Sequence, residues 1–98
     1  MTGIILKSAD IPKAVAVIRS AIDKEISRLE KGTERSLERL KQFEDRYQVS
    51  SSEFAKRFAA EYLDGQDLEY VEWMGEYRLF QQLDEDLTLL KNLTYVAS

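Results

Sequence analysis

The sequence predicts an all-α protein, a long antiparallel, coiled-coil-like helical hairpin whose two arms are joined by a short connecting helix. Three observations support this fold class. The 98 residues include one Pro and four Gly, too few chain-breaking residues for many short strands. Apolar side chains recur at helical spacing over long stretches. With 44% apolar and 33% charged residues, the chain has the composition of charged amphipathic helices rather than of a disordered protein.

Helix 1 is predicted over about residues 10–47. Asp10 precedes a Pro at position 12, and this order marks a helix start because Asp caps free backbone N–H groups and Pro fits the first turn. Gly32 is the weak point, since glycine inside a helix costs about 1 kcal/mol relative to alanine. The apolar periodicity continues on both sides of it. The pattern therefore favours one continuous helix, with a break at Gly32 as the alternative.

Two further helices complete a single domain covering residues 1–98. Helix 2, over about 51–62, begins at a capping box in which Ser50 and Glu53 satisfy each other's free backbone N–H groups. A polar turn at 64–67 precedes helix 3, which is predicted over about 68–95. Helix 2 is too short to cover both long helices, so apolar surface should remain exposed. We therefore expect a homo-oligomer or a complex with another chain.

The absence of two residue types restricts the chemistry of the protein. The chain has no Cys and no His, which excludes disulfides, thiol nucleophiles, and thiolate or imidazole metal ligands. We expect no catalytic residues, no metal site and no cofactor, and hence a protein that is not an enzyme. The chain also lacks an apolar stretch of about 20 residues and a secretory leader pattern. These features predict a cytoplasmic protein without membrane contact.

Charge is distributed unevenly along the chain. Residues 1–48 carry ten basic and eight acidic groups, whereas residues 49–98 carry four basic and ten acidic groups. The acidic second half argues against its contact with nucleic acid and favours a basic protein partner. Helix 1 nevertheless has a row of cations opposite its apolar stripe, which is either a solvated, ion-paired face or a candidate electrostatic contact. This row consists of Lys24, Arg28, Lys31, Arg35 and Arg39.

Large aromatic residues rimmed by carboxylates mark the first half of helix 3. Such residues are typical of protein-binding hot spots, although an aromatic stripe is also what a helix packs into a core. Both interpretations remain open from the sequence. The candidate partner-binding residues are Glu69, Tyr70, Glu72, Trp73, Glu76 and Tyr77.

Two segments carry a family resemblance. The hinge YQVSSSEF at 47–54, followed by DLEYVEW at 67–73, resembles a pattern in small helical prokaryotic antitoxins encoded beside a small toxin. In that family the hinge reads YGMSSEEF, so Gln48 replaces a glycine here and predicts a less sharply turned end of helix 1. The resemblance implies toxin neutralisation by direct binding. The positions that match the motif in the second segment include Tyr70, Glu72 and Trp73.

The sequence is compatible with three functions. The first is an antitoxin-like protein that neutralises a cognate small protein toxin by stoichiometric occlusion. The second is a homo-oligomeric coiled-coil scaffold or adaptor without a toxin. The third is a nucleic-acid-binding module that uses the basic row of helix 1, and its affinity would fall steeply with salt.

Overall fold

Three α-helices contain most of the residues that the computed structural model describes, which are 3–6, 10–61 and 68–97, with side chains over 10–58 and 68–93. Helix α1 spans Ile11–Tyr47, α2 spans Ser51–Glu61 and α3 spans Leu68–Lys91. The predicted all-α class is therefore confirmed. The predicted turn at 64–67 and the predicted last residue of helix 2 lie outside the described residues.

Helix α1 is continuous through Gly32, as the apolar periodicity predicted. Its 37 residues, at about 1.5 Å each, give roughly 55 Å and account for the 57 Å long axis of the molecule. A methyl group at Gly32 would lie 3.3 Å from Cδ1 of Leu83 on α3. The glycine thus lets the two long helices approach closely, which offsets its low helix propensity.

Both ends of α1 are capped by local hydrogen bonds. At the start, the Asp10 carboxylate accepts a hydrogen bond from the backbone N–H of Lys13 at 3.0 Å, as predicted. At the end, Gln48 adopts the left-handed conformation (φ 54°, ψ 44°) and donates its backbone N–H to Glu44 at 2.8 Å. The expectation of a less sharp end at Gln48 was wrong. The side chain of Gln48 stabilises this left-handed conformation by donating a hydrogen bond to the carbonyl of Asp45 at 2.6 Å.

Ser50 caps the start of helix α2, because its hydroxyl accepts a hydrogen bond from the Glu53 backbone N–H at 3.1 Å. The Glu53 carboxylate pairs with Arg57 at 3.7 Å, so among the described contacts only one half of the predicted capping box is present. The adjacent N–H of Ser51 is held by the Glu44 carboxylate of α1 at 2.7 Å. The start of α2 is thereby fixed to the end of α1.

Replacing Ser50 with Ala should lower the free energy of unfolding by about 1 kcal/mol, because the cap of α2 is lost. Urea unfolding followed by Trp73 fluorescence would measure the change. Ser52→Ala is a matched control, since Ser52 is exposed on the same turn. Equal stability of the Ser50 and Ser52 variants would show that the cap contributes nothing.

Helices α1 and α3 are antiparallel, as the sequence predicted. Going along α1, Glu30 pairs with Lys91 at 3.3 Å, Arg39 pairs with Glu76 at 3.2 Å, and Arg46 pairs with Glu69. The residue numbers increase along α1 while those of the paired residues decrease along α3, as is required of antiparallel helices. Helix α2 packs on one side of this hairpin at its hinge end, where Leu40, Phe54 and Trp73 form the core.

Two short strands join the ends of the hairpin. Strand β1 (Gly3–Leu6) pairs in parallel with β2 (Thr94–Ala97), with Gly3 opposite Thr94 and Leu6 opposite Ala97. Parallel strands need a long crossover connection, and here the three helices provide it. The predicted end of helix 3 near 95 was wrong, because residues 94–97 obtain their hydrogen bonds from β1 instead of from a further helical turn.

Candidate partner-binding face

Trp73, the most prominent predicted binding residue, belongs to the core. Its side chain is 0% exposed. Its ring stacks on Phe54 at a centroid distance of 3.9 Å and on Phe43 and Tyr47 at 5.4 Å each. The indole N–H donates to the hydroxyl of Ser51, which is itself buried, at 2.9 Å. Of the two interpretations that the sequence left open, core packing applies to Trp73.

The two predicted tyrosines lie against the same cluster. Tyr70 and Tyr77 are half-buried and pack on the core. The ring of Tyr70 meets Tyr47 and Phe54 edge to face, at centroid distances of 5.5 Å and 5.3 Å. Such aromatic pairs contribute about 0.5–1.5 kcal/mol each beyond the burial of their area. Both tyrosines therefore act mainly in folding.

Two of the three predicted carboxylates hold α3 against α1. Glu69 pairs with Arg46. Glu76 is only 10% exposed and accepts hydrogen bonds from the Ser36 hydroxyl at 2.5 Å and from Arg39 at 3.2 Å. Their charges are thus used within the molecule rather than presented to a partner.

Replacing Glu76 with Ala should destabilise the protein by about 1–3 kcal/mol, because the hydroxyl of the buried Ser36 would lose its acceptor. Chemical unfolding would measure the loss. Glu85→Ala is the control, since Glu85 is exposed on the same helix. A Glu76 variant as stable as the Glu85 variant would mean that water replaces the carboxylate without loss.

Among the six predicted partner-binding residues, Glu72 is the one whose side chain is exposed and forms no ion pair or hydrogen bond in the described part of the chain. At 100° per residue it lies beside an apolar stripe on the side of α3 that points away from the core. We call this stripe the outer face of α3 and define it by Leu68, Val71, Gly75 and Leu79.

The outer face is unusually apolar for a surface. Leu68 is 70% exposed, Val71 is 42% exposed and Leu79 is 47% exposed. Apart from the neighbouring backbone of α3 itself, no described atom lies within 4 Å of the position that a methyl group would occupy on Gly75. Helix α3 is therefore apolar on two sides, and a helix that is apolar all round is normally covered on all sides.

Sequence reasoning missed these four residues because the aromatic stripe dominated the pattern. A weaker signal was present, since positions 68, 71, 75 and 79 follow a spacing of three, four and four residues, which places them on one side of a helix. The mid-helix glycine was a second signal. Neither the spacing nor the glycine shows which of the two apolar sides of helix 3 faces the core.

The basic row of α1 is divided into paired and unpaired cations. Arg28 makes two hydrogen bonds with Glu25, at 2.6 Å and 2.7 Å, which lower the pKa of the Glu25 carboxyl and raise the pKa of the Arg28 guanidinium. Arg39 pairs with Glu76. In the described part of the chain, Lys24, Lys31 and Arg35 form no ion pair. Three of the five cations are therefore not used in ion pairs among the described residues, and their contact with a partner stays a prediction.

A groove with a volume of about 260 Å³ lies between α1 and α3, with Arg28, Arg35 and Arg39 on the α1 wall and Leu79 and Leu83 on the α3 wall. A second pocket between the same helices, nearer the hinge, has a volume of about 500 Å³ and is lined by Leu68 and Glu72, among others.

Comparisons of this chain with models of protein families, with curated proteins and with solved structures find no match. None of the helices in the described ranges is both long and apolar enough to cross a membrane. Among the same residues, no group of three or more acidic side chains is arranged to hold a metal ion.

Proposed function

We propose that this chain is a cytoplasmic, non-catalytic, antitoxin-like protein that neutralises a cognate small protein by stoichiometric occlusion. One observation carries the proposal: α3 exposes an apolar outer face around a glycine for which the described residues provide no packing reason. Exposed apolar patches on soluble proteins commonly mark interaction sites. The contact surface proposed is this outer face with Glu72, rather than the aromatic stripe.

The antitoxin resemblance supports the proposal through the fold. Tyr47 and Phe54, which lie in the first resembling segment, both stack on Trp73 in the second, and Ser51 accepts a hydrogen bond from the indole N–H. These contacts hold the first half of α3 against the hinge between α1 and α2. Glu72 is the motif position that stays exposed. A shared hinge would orient α3 in the same way, while the exposed residues select the partner.

Co-expression with the product of the neighbouring gene tests the proposal. If that product arrests growth, this chain should restore growth and form a complex of fixed stoichiometry, measured by size-exclusion chromatography with light scattering. Glu72→Lys should leave the melting temperature unchanged but change the rate of association, and the salt dependence of that rate, with a charged partner. A neighbouring product that is harmless, or that does not bind this chain, would contradict the proposal.

Gly75 provides a test that separates binding from folding. Gly75→Ala should stabilise the isolated protein by about 0.5–1 kcal/mol, because alanine has the higher helix propensity and its methyl group would meet no described atom. The same methyl group should weaken partner binding if the partner packs closely there. Thermal unfolding and titration calorimetry measure the two effects. A Gly75→Ala variant with higher stability and unchanged affinity would show that Gly75 is not part of the interface.

A homo-oligomeric scaffold is the second candidate, because a second copy could also cover the outer face of α3. Sedimentation at tens of micromolar distinguishes the two. A dimer that Leu79→Asp dissociates would favour the scaffold, and a monomer would favour the occlusion of another protein. A nucleic-acid-binding module, the third candidate, is supported by Lys24, Lys31 and Arg35 alone.

A further inference from the structure

The charges around the outer face of α3 differ in sign from those of the half of the chain that contains it. Residues 49–98 have an excess of acidic groups, which favoured a basic partner. Among the acids of this half whose side chains the structure describes, most lie away from the outer face or are paired. Glu69 and Glu76 bind arginines of α1, and Asp86 accepts a hydrogen bond from Gln82. The net charge of residues 49–98 therefore does not describe the charge around the outer face of α3.

Two unpaired cations flank the outer face, one on each edge. Arg35 lies on the α1 side, across the groove from Leu79. Arg78 is exposed on the opposite edge, about 60° from Gly75 at 100° per residue. Within the described ranges these two cations have no ion pair or hydrogen bond. Among the described residues of α3 that span the face, Glu72 is the one unpaired anion.

The shape of the face fits one helix. From Leu68 to Leu79 the face is about 16 Å long, or three helical turns. The missing side chain at Gly75 leaves a hole between Leu68, Val71 and Leu79, into which an apolar side chain of an approaching helix can pack as a knob. A phosphate backbone offers no such apolar side chain, so protein is favoured over nucleic acid as the occupant.

We infer that the outer face of α3 binds an amphipathic helix whose apolar seam is flanked by carboxylates. The seam packs over Gly75, and the carboxylates on its two edges meet Arg35 on one side and Arg78 on the other. This inference rests on the proposed binding function and specifies the chemistry of the partner segment.

Two synthetic helical peptides test the inference directly. Both have about 16 residues and the same leucine seam, one with Glu and the other with Lys at the flanking positions. Binding of each fluorescein-labelled peptide to the intact chain is measured by anisotropy at low and near-physiological salt. The Glu-flanked peptide should bind at least about tenfold more tightly, and its affinity should fall with salt because flanking charges act through screened attraction.

Matched variants locate the binding. Arg35→Glu should weaken binding of the Glu-flanked peptide about tenfold or more, as expected for reversing a charge opposite a carboxylate. Lys41→Glu is the control, because Lys41 is also exposed on α1 but lies on the other side of the helix. Equal or tighter binding of the Lys-flanked peptide, binding of neither peptide, or equal losses in both variants would overturn the inference.

Two further outcomes separate this inference from the proposed function. If the neighbouring protein is neutralised through Leu79 while the Glu-flanked peptide does not bind, the function stands and the partner chemistry is wrong. If the peptide binds but the neighbouring protein does not, the face is correct and the antitoxin role is wrong. A short DNA duplex that displaces the peptide in an Arg35-dependent manner would overturn the choice of a protein partner.

Discussion

Replacing Trp73 with Ala is expected to lower the free energy of unfolding by about 3–5 kcal/mol, the range measured for removal of large buried aromatic side chains. The indole is fully buried and stacks on Phe43, Tyr47 and Phe54. Its removal opens a cavity where three helices meet and leaves the buried Ser51 hydroxyl without its donor. Urea unfolding followed by circular dichroism measures the loss, since the variant has no tryptophan left.

Val71→Ala is the control for this experiment, because Val71 lies on the same helix but is exposed. It should change stability by less than about 0.5 kcal/mol. Trp73→Phe should lie between the two, since it keeps an aromatic ring but loses the hydrogen bond. A Trp73→Ala protein that is as stable as the Val71 variant would show that the hinge core is not what holds α3 in place.

Replacing Leu79 with Asp is expected to reduce partner affinity by at least about 2 kcal/mol, the level that defines a hot spot. Leu79 is 47% exposed and borders both the outer face of α3 and the groove. A carboxylate there would remove apolar contact and introduce a charge that binding must desolvate. The free protein should keep its fold, because the new side chain can stay in water. Titration calorimetry and a thermal melt of the same samples test both statements.

Leu37→Asp is a closely matched control. Leu37 is 49% exposed and lies on α1, on the side of the hairpin away from the groove. The same chemical change at nearly the same exposure should leave affinity unchanged. If both aspartates reduce binding equally, the effect is general rather than local. If neither does, the partner does not use the outer face of α3.

The candidate site was only partly predictable, and the reason is the pairing of side chains between helices. The sequence does not distinguish between the three carboxylates that rim the aromatic residues of helix 3, which are Glu69, Glu72 and Glu76. In the folded chain Glu69 and Glu76 meet arginines of α1, whereas Glu72 forms no ion pair within the described ranges. In the same way Arg39 is paired while Arg35 is not. The register between α1 and α3 decides these outcomes, and no single-helix pattern contains it.

Local sequence determined the elements that depend on nearby residues. Apolar periodicity and the Asp10 cap specified a continuous α1, and Ser50 specified the start of α2, because these signals act within one or two helical turns. Contacts between distant residues decided the rest. The β1–β2 pairing ended α3 early, and α1 with α2 covered the aromatic side of α3 because that side buries the larger area. The smaller aliphatic side, around Gly75, was thereby left exposed.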